Sequence, residues 1–146
     1  VNTDRLDAAG REAVREALRP VGPLVADAPV SVDEKITLRS VAVTLSELAM
    51  GCALVRRGDD SVGIISERDV LSALAADADP DAVWAADVMT KGIVTGDADG
   101  SVLDAARRMI DEDVRHLMVV DDGEVVGMVS MRDLFGRLTE ALSGTT

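Results

Sequence analysis

Apolar and polar positions along this chain trace one pattern twice. Leu38, Val41, Ala42 and Leu45 stand at the i, i+3, i+4 and i+7 spacing of a helix with one buried face. Val102, Ala105, Ala106 and Met109 repeat that spacing at an offset of 64 residues. Each helical pattern is preceded by a short extended stretch, Pro29 to Val32 or Ile93 to Thr95. Each is followed by two apolar runs that read as strands around a tight turn. Ala53-Leu54-Val55 and Val62-Gly63-Ile64-Ile65 flank Gly58-Asp59-Asp60; Leu117-Met118-Val119-Val120 and Val125-Val126-Gly127-Met128-Val129 flank Asp121-Asp122-Gly123-Glu124. A second helix closes each set, with Val70, Leu71, Leu74 and Ala75 on one stripe and Leu134, Phe135, Leu138 and Leu142 on the other.

The register between the two halves holds without a gap. Gly63-Ile64-Ile65-Ser66-Glu67-Arg68-Asp69-Val70-Leu71 lies over Gly127-Met128-Val129-Ser130-Met131-Arg132-Asp133-Leu134-Phe135. Val55 falls on Val119, Val62 on Val126, and Pro23-Leu24-Val25-Ala26 on Asp87-Val88-Met89-Thr90. A pattern held in register over roughly fifty residues marks an internal repeat. The predicted architecture is α/β (α+β): two β-α-β-β-α repeats packed about a pseudo-twofold axis, because one such unit is too small to bury a good core alone. An extra amphipathic helix over Asp4 to Leu18 precedes the repeats and ends near Pro20 and Gly22. The expected boundaries are 1–22 for that helix and its lead-in, 23–78 and 87–142 for the repeats, 79–86 for a linker and 143–146 for a tail. The acidic, proline-containing stretch Asp77-Ala78-Asp79-Pro80-Asp81 supplies the loop between the repeats.

Composition narrows the function. At 47% hydrophobic and 29% charged the 146 residues are globular, and 1% aromatic content leaves the core to Val, Leu, Ile, Ala and Met. A formal net charge of -12 argues against nucleic acid and against an anionic membrane surface. A small anion stays open, since a helix N-terminus and a few Arg can hold one in an acidic protein. Cys52 is the only cysteine, so no internal disulfide forms, which fits a reducing cytoplasm. No apolar run nears the ~18 residues of a membrane span, and the first residues show no secretory signal. One His and one Cys do not make a transition-metal set. His116 with Ser130 and an Asp lacks any sign of an oxyanion hole, so no catalytic group is assigned and the chain is expected not to be an enzyme.

The stretch Val114 to Leu134 and the lead-in Asp87-Val88-Met89-Thr90 resemble the tandem cystathionine β-synthase (CBS) domain pair, in its stand-alone class, and the resemblance covers about Pro23 to Leu142. It implies two clefts between the repeats that hold AMP, ADP, ATP or an S-adenosyl ligand such as S-adenosylmethionine. It also implies regulation of an effector protein in trans, pairing into a homodimer, and no required cofactor. In the family the motif aspartate takes the ribose diol, here Asp69 and Asp133. Phosphates go to Ser66 and Ser130, the helix N–H groups and nearby Arg68 and Arg132. Adenine goes to the segments entering each repeat, about Ala26 to Val30 and Thr90 to Val94. A basic residue just before the strand reaches a phosphate, which singles out Arg115 and His116. The sequence departs from the family pattern at Met118, where proline is common, and at Gly51-Cys52-Ala53, which lacks the basic residues found at Arg115 and His116. Unequal sites are expected, with the stronger phosphate contacts near the second repeat.

Local readings stand beside these roles. Ser-x-x-Asp at a helix start is also a capping pair. His116 also reads as a half-exposed strand-start imidazole, Cys52 as buried and inert or as a redox sensor, and Arg107 and Arg108 as a solvated face. Met50, Met89, Met109, Met118, Met128 and Met131 read as core filler. A ligand-free scaffold or dimerisation protein is the alternative function.

Overall fold

The computed structural model describes residues 2–25 and 30–143. The offset of 64 survives in three dimensions. In the first repeat β1 (Ser31–Asp33), α2 (Leu38–Glu47), β2 (Cys52–Arg57), β3 (Asp60–Ser66) and α3 (Glu67–Ala75) follow α1 (Ala8–Leu18). After α4 (Ala85–Val88), the second repeat supplies β4 (Thr95–Asp97), α5 (Val102–Asp111), β5 (His116–Asp121), β6 (Glu124–Ser130) and α6 (Met131–Ser143). Each repeat forms a three-stranded sheet with its middle strand parallel to the first and antiparallel to the last. A bulge falls after Val55 in one and after the equivalent Val119 in the other.

The first strands begin two residues later than the extended stretches read from sequence. Pairing decides this: Ser31 lies opposite Leu54 and Thr95 opposite Met118. The carbonyls of Val30 and Val94, just before the strands, accept from Leu54 and Met118 N–H at 2.8 and 3.0 Å. The extra helix is also shorter than Asp4 to Leu18. Asp7 is its N-cap, its side chain accepting from Gly10 N–H at 2.8 Å, so the residues before it stay outside.

Helix ends follow local chemistry. Thr37 caps α2 by accepting from Ser40 N–H, and Ser101 and Asp104 form a reciprocal capping box on α5. Both helices stop at a left-handed residue, Ala49 at φ 50° and Asp113 at φ 53°. There the next N–H, of Met50 or Val114, reaches back to Leu45 or Met109 O, as in a Schellman ending. The hairpins differ in their two-residue loops. Gly58 alone has positive φ in the first, whereas Asp122 and Gly123 both do in the second, which corresponds to II′-like and I′ turns.

The described residues fall into two compact units, 30–93 and 2–25 with 94–143. The lead-in segments therefore complete the core of the other repeat. Ala85, fully buried, packs with Leu38, Val41, Ala53 and Ile65. Val21, 64 residues earlier and 1% exposed, packs with Val102, Met109, Leu117 and Val129. Backbone bonds pin these crossings: Leu38 N–H to Val83 O and Ala85 N–H to Ile36 O in one unit, Val21 N–H to Gly100 O and Val102 N–H to Arg19 O in the other. Helix α1 packs on α6 and α5 within its unit. Burying Leu54, Leu117 or Met118 completely is worth about 1.5–3 kcal/mol each.

Candidate functional site

In each repeat the strand after the hairpin runs straight into a helix at a Ser-x-x-Asp motif. In the first, Ser66 Oγ accepts from Asp69 N–H at 3.2 Å, while Ser66 N–H and Oγ–H donate to Asp69 Oδ2 at 2.8 and 3.0 Å. In the second, Asp133 N–H donates to Ser130 Oγ at 3.1 Å and Ser130 N–H to Asp133 Oδ2 at 2.8 Å. Both motifs are capping boxes, so the local reading holds in full. Each carboxylate nonetheless keeps acceptor capacity, because the cap uses one oxygen of the two.

Thr90 joins the first motif. Its hydroxyl donates to Asp69 Oδ1 at 3.5 Å, a distance at the limit of a hydrogen bond. Its backbone exchanges two bonds with Ile64, at 3.0 and 2.8 Å, adding a bridge to β3 two residues before Ser66. Gly63 makes the approach possible. A Cβ there would lie 2.7 Å from Met89 Sδ and 2.8 Å from Thr90 O. Sequence reading assigned Thr90 to the adenine slot and gave no sign of its reach to Asp69. Val30 lies in the same unit, half-buried; Ala26 to Pro29, the rest of that slot, lie outside the described residues.

The strand start faces each motif across the sheet. Cys52 pairs with Ser66 and His116 with Ser130. The residue before it receives the first helical N–H: Glu67 donates to Gly51 O at 2.9 Å and Met131 to Arg115 O at 2.8 Å. Arg68, Arg132 and Arg115 are exposed, and His116 is half-buried. Cys52 is fully buried, and its thiol is pushed up to about 12, by burial first and by the carboxylates of Asp69 and Glu67 second. That makes it a poor nucleophile. Arg107 and Arg108 are exposed; Met109 and Met118 are buried, and the other four methionines half-buried.

An ion pair in the first repeat escaped the sequence reading. Glu34, with 12% of its side chain exposed, receives Arg57 Nε and Nη2 at 2.9 Å each, and this hydrogen-bonded pairing holds its carboxyl below the usual range. The two residues lie 23 apart, Glu34 just past β1 and Arg57 at the end of β2, so no local spacing signals them. Among the described residues no cluster of His, Cys, Asp and Glu has a metal-holding arrangement, and no helix is long and apolar enough to cross a membrane.

Comparison with known proteins agrees with this architecture. The CBS domain family model matches residues 21–76 and 85–140, and the chain belongs to that family as a tandem pair. It is 35% identical over 101 residues to uncharacterised protein MK0525 of Methanopyrus kandleri, covering 67% of this chain and 52% of that one. The chain thus spans about half the length of that relative. Hypoxic response protein 1 of Mycobacterium tuberculosis is 30% identical over 111 residues, 75% of this chain and 78% of the relative. Among solved structures, the CBS domain protein PAE2072 from Pyrobaculum aerophilum, complexed with AMP, matches with a TM-score of 0.72 and 33% identity, over 86% of this chain and 98% of that one. The CBS domain pair of MJ0100, in complex with 5′-methylthioadenosine and S-adenosyl-L-methionine, shares the fold at a TM-score of 0.74 and 24% identity, over 88% and 99%.

Proposed function

We propose that this chain is a regulatory module that binds adenine nucleotides or an S-adenosyl ligand and acts in trans on a protein partner, without catalysis of its own. The observation that carries this reading is the state of the motif aspartates. Each caps its helix with one oxygen and can still accept from a ribose hydroxyl with the other. The Ser hydroxyls, the helix N-termini and Arg68, Arg132, Arg115 and His116 serve the phosphates. Thr90, Val30 and Val94 border the adenine. The AMP-bound PAE2072 structure supports the ligand class. A ligand that favours one arrangement of the module over another shifts its population, which is how binding becomes a signal.

Self-association fits the surface of the closing helices. Leu71 and Leu74 on α3, and Phe135 and Leu142 on α6, are all exposed, Leu71 to 66% and Phe135 to 61%. Leu71 and Phe135 hold the same repeat position, and a homodimer would cover both. A chain whose one cysteine can form no internal disulfide suits the cytoplasm.

Thermal unfolding with AMP, ADP, ATP, NAD and S-adenosylmethionine tests the proposal. A ligand at about 100 times its dissociation constant adds ~2.7 kcal/mol, a rise on the order of 5 °C or more for this length. No shift with any of them at millimolar concentration contradicts nucleotide sensing and favours a ligand-free scaffold.

A further inference from the structure

The two motifs share a backbone and differ in charge. At the first, Glu67 occupies the opening helical position, Asp69 follows, and Arg68 is the one motif cation; the strand start behind them is Gly51-Cys52. At the second, neutral Met131 replaces Glu67, Asp133 is the one acid, and Arg132 is joined by Arg115 and His116 at the strand start. The placement is fixed by matching bonds, since Gly51 O and Arg115 O each accept the first N–H of the helix. Cys52 and His116 stand directly across the ladder from Ser66 and Ser130. Side chains so paired share a face of the sheet, with Cβ atoms roughly 4.5–5.5 Å apart. Two acids against one arginine thus border one motif, and two arginines with a histidine against one acid border the other.

Resting on the nucleotide reading above, we infer that the two motifs divide adenosine ligands by charge. The Ser130–Asp133 motif takes an adenosine 5′-phosphate. The Ser66–Asp69 motif takes an adenosine whose 5′ substituent is neutral or cationic, such as a thioether or a sulfonium. Both can use the aspartate for the ribose diol, so the discrimination lies in the 5′ group alone. A phosphate dianion at the first motif meets Glu67 and Asp69, the carboxylates that already disfavour a charged Cys52 thiol. At the second it meets Arg115 and Arg132, whose guanidinium groups suit phosphate oxygens. The cation that could rescue phosphate binding in the first unit is Lys91, exposed and next to Thr90.

Calorimetric titration of the full chain tests this with two probes, AMP and 5′-methylthioadenosine. The proteins are the wild type, Asp69→Asn, Asp133→Asn and Arg115→Ala; asparagine keeps an acceptor for the cap and so preserves the fold. Asp133→Asn and Arg115→Ala are expected to weaken AMP by about tenfold or more and to leave 5′-methylthioadenosine unchanged, and Asp69→Asn to do the reverse. Loss of AMP in Asp69→Asn with retention in Asp133→Asn overturns the division while leaving nucleotide binding intact. So does an equal loss of both probes in one variant. If Lys91→Ala removes AMP binding and Arg115→Ala does not, the phosphate belongs to the first motif and the division is likewise wrong. Absence of binding by either probe to the wild type removes the nucleotide reading itself.

Discussion

Val32 and Ala53 in the first repeat become Gly96 and Leu117 in the second, on the same strands and at the same offset. Both arrangements pack. In the first, Val32 on β1 and Ala53 on β2 belong to one buried core; in the second, Leu117 reaches back into the space above Gly96, where a Cβ would come within 2.7 Å of its Cδ2. Elsewhere too, volume is redistributed: Leu38, Val41 and Leu45 answer to Val102, Ala105 and Met109. A repeated fold fixes where the core is and how much it holds, and leaves open which strand supplies it. The same freedom governs the polar end. Closely similar capping boxes carry different neighbours, and that is where the two repeats can part in function.

Core volume gives the largest test. Leu117→Ala is expected to destabilise by about 2–5 kcal/mol, and Gly96→Val alone by about 1–3 kcal/mol through overpacking. The double change restores the first repeat's pairing and should cost clearly less than the sum, a coupling readable in a denaturant double-mutant cycle. Additive losses would show that the two positions do not share one space.

Capping comes next. Ser66→Ala and Ser130→Ala should each cost about 1 kcal/mol without ligand. The first should cost more, because Ser66 also donates its hydroxyl to Asp69. Equal costs would make that extra bond energetically silent.

The helix endings yield a smaller effect of opposite sign. Ala49 holds φ 50° where the second repeat has Asp113, a residue type that tolerates the left-handed region. Ala49→Gly should raise stability by up to about 1 kcal/mol, and Asp113→Gly by less. A loss at Ala49 would contradict the left-handed assignment.

The acid limb of stability separates the repeats last. Glu34 has its pKa lowered by the hydrogen bonds from Arg57, and Asp81 by those from Arg39. A carboxylate depressed in the folded state adds stability above its unfolded pKa and loses it as pH falls through the folded value. The unit that carries the first repeat holds both pairs, Asp81 lying in the linker, and should therefore lose stability as pH drops below about 4. Arg57→Ala should flatten that limb in urea melts between pH 6 and 3; an unchanged slope would show that the pair is not linked to folding.

Much of this was readable beforehand because the signals are local and occur twice. Period 3.6 against short apolar runs, with turn residues between them, placed α2, α5 and the hairpins, and the offset aligned both motifs. Three features were not readable. The first strands shifted by two residues, because ladder pairing rather than apolar character sets their limits. The exchange of Val21 and Ala85 between the cores depends on where the chain crosses, which periodicity does not record. The Thr90–Asp69 and Arg57–Glu34 contacts join residues 21 and 23 apart through tertiary packing. The closing helices also differ from the expected pattern. Leu71, Leu74, Phe135 and Leu142 were read on one apolar stripe with Val70 and Leu134, yet only Val70 and Leu134 are buried. Apolar periodicity alone does not tell which positions of a stripe the fold buries.

The most direct measurement is the number of AMP molecules held per chain at saturation, by equilibrium dialysis, with and without excess 5′-methylthioadenosine. Two related motifs with opposite charge surroundings should bind one AMP per chain, and 5′-methylthioadenosine should leave it in place. Two AMP per chain, or displacement of the single AMP by 5′-methylthioadenosine, would contradict the division of the two repeats.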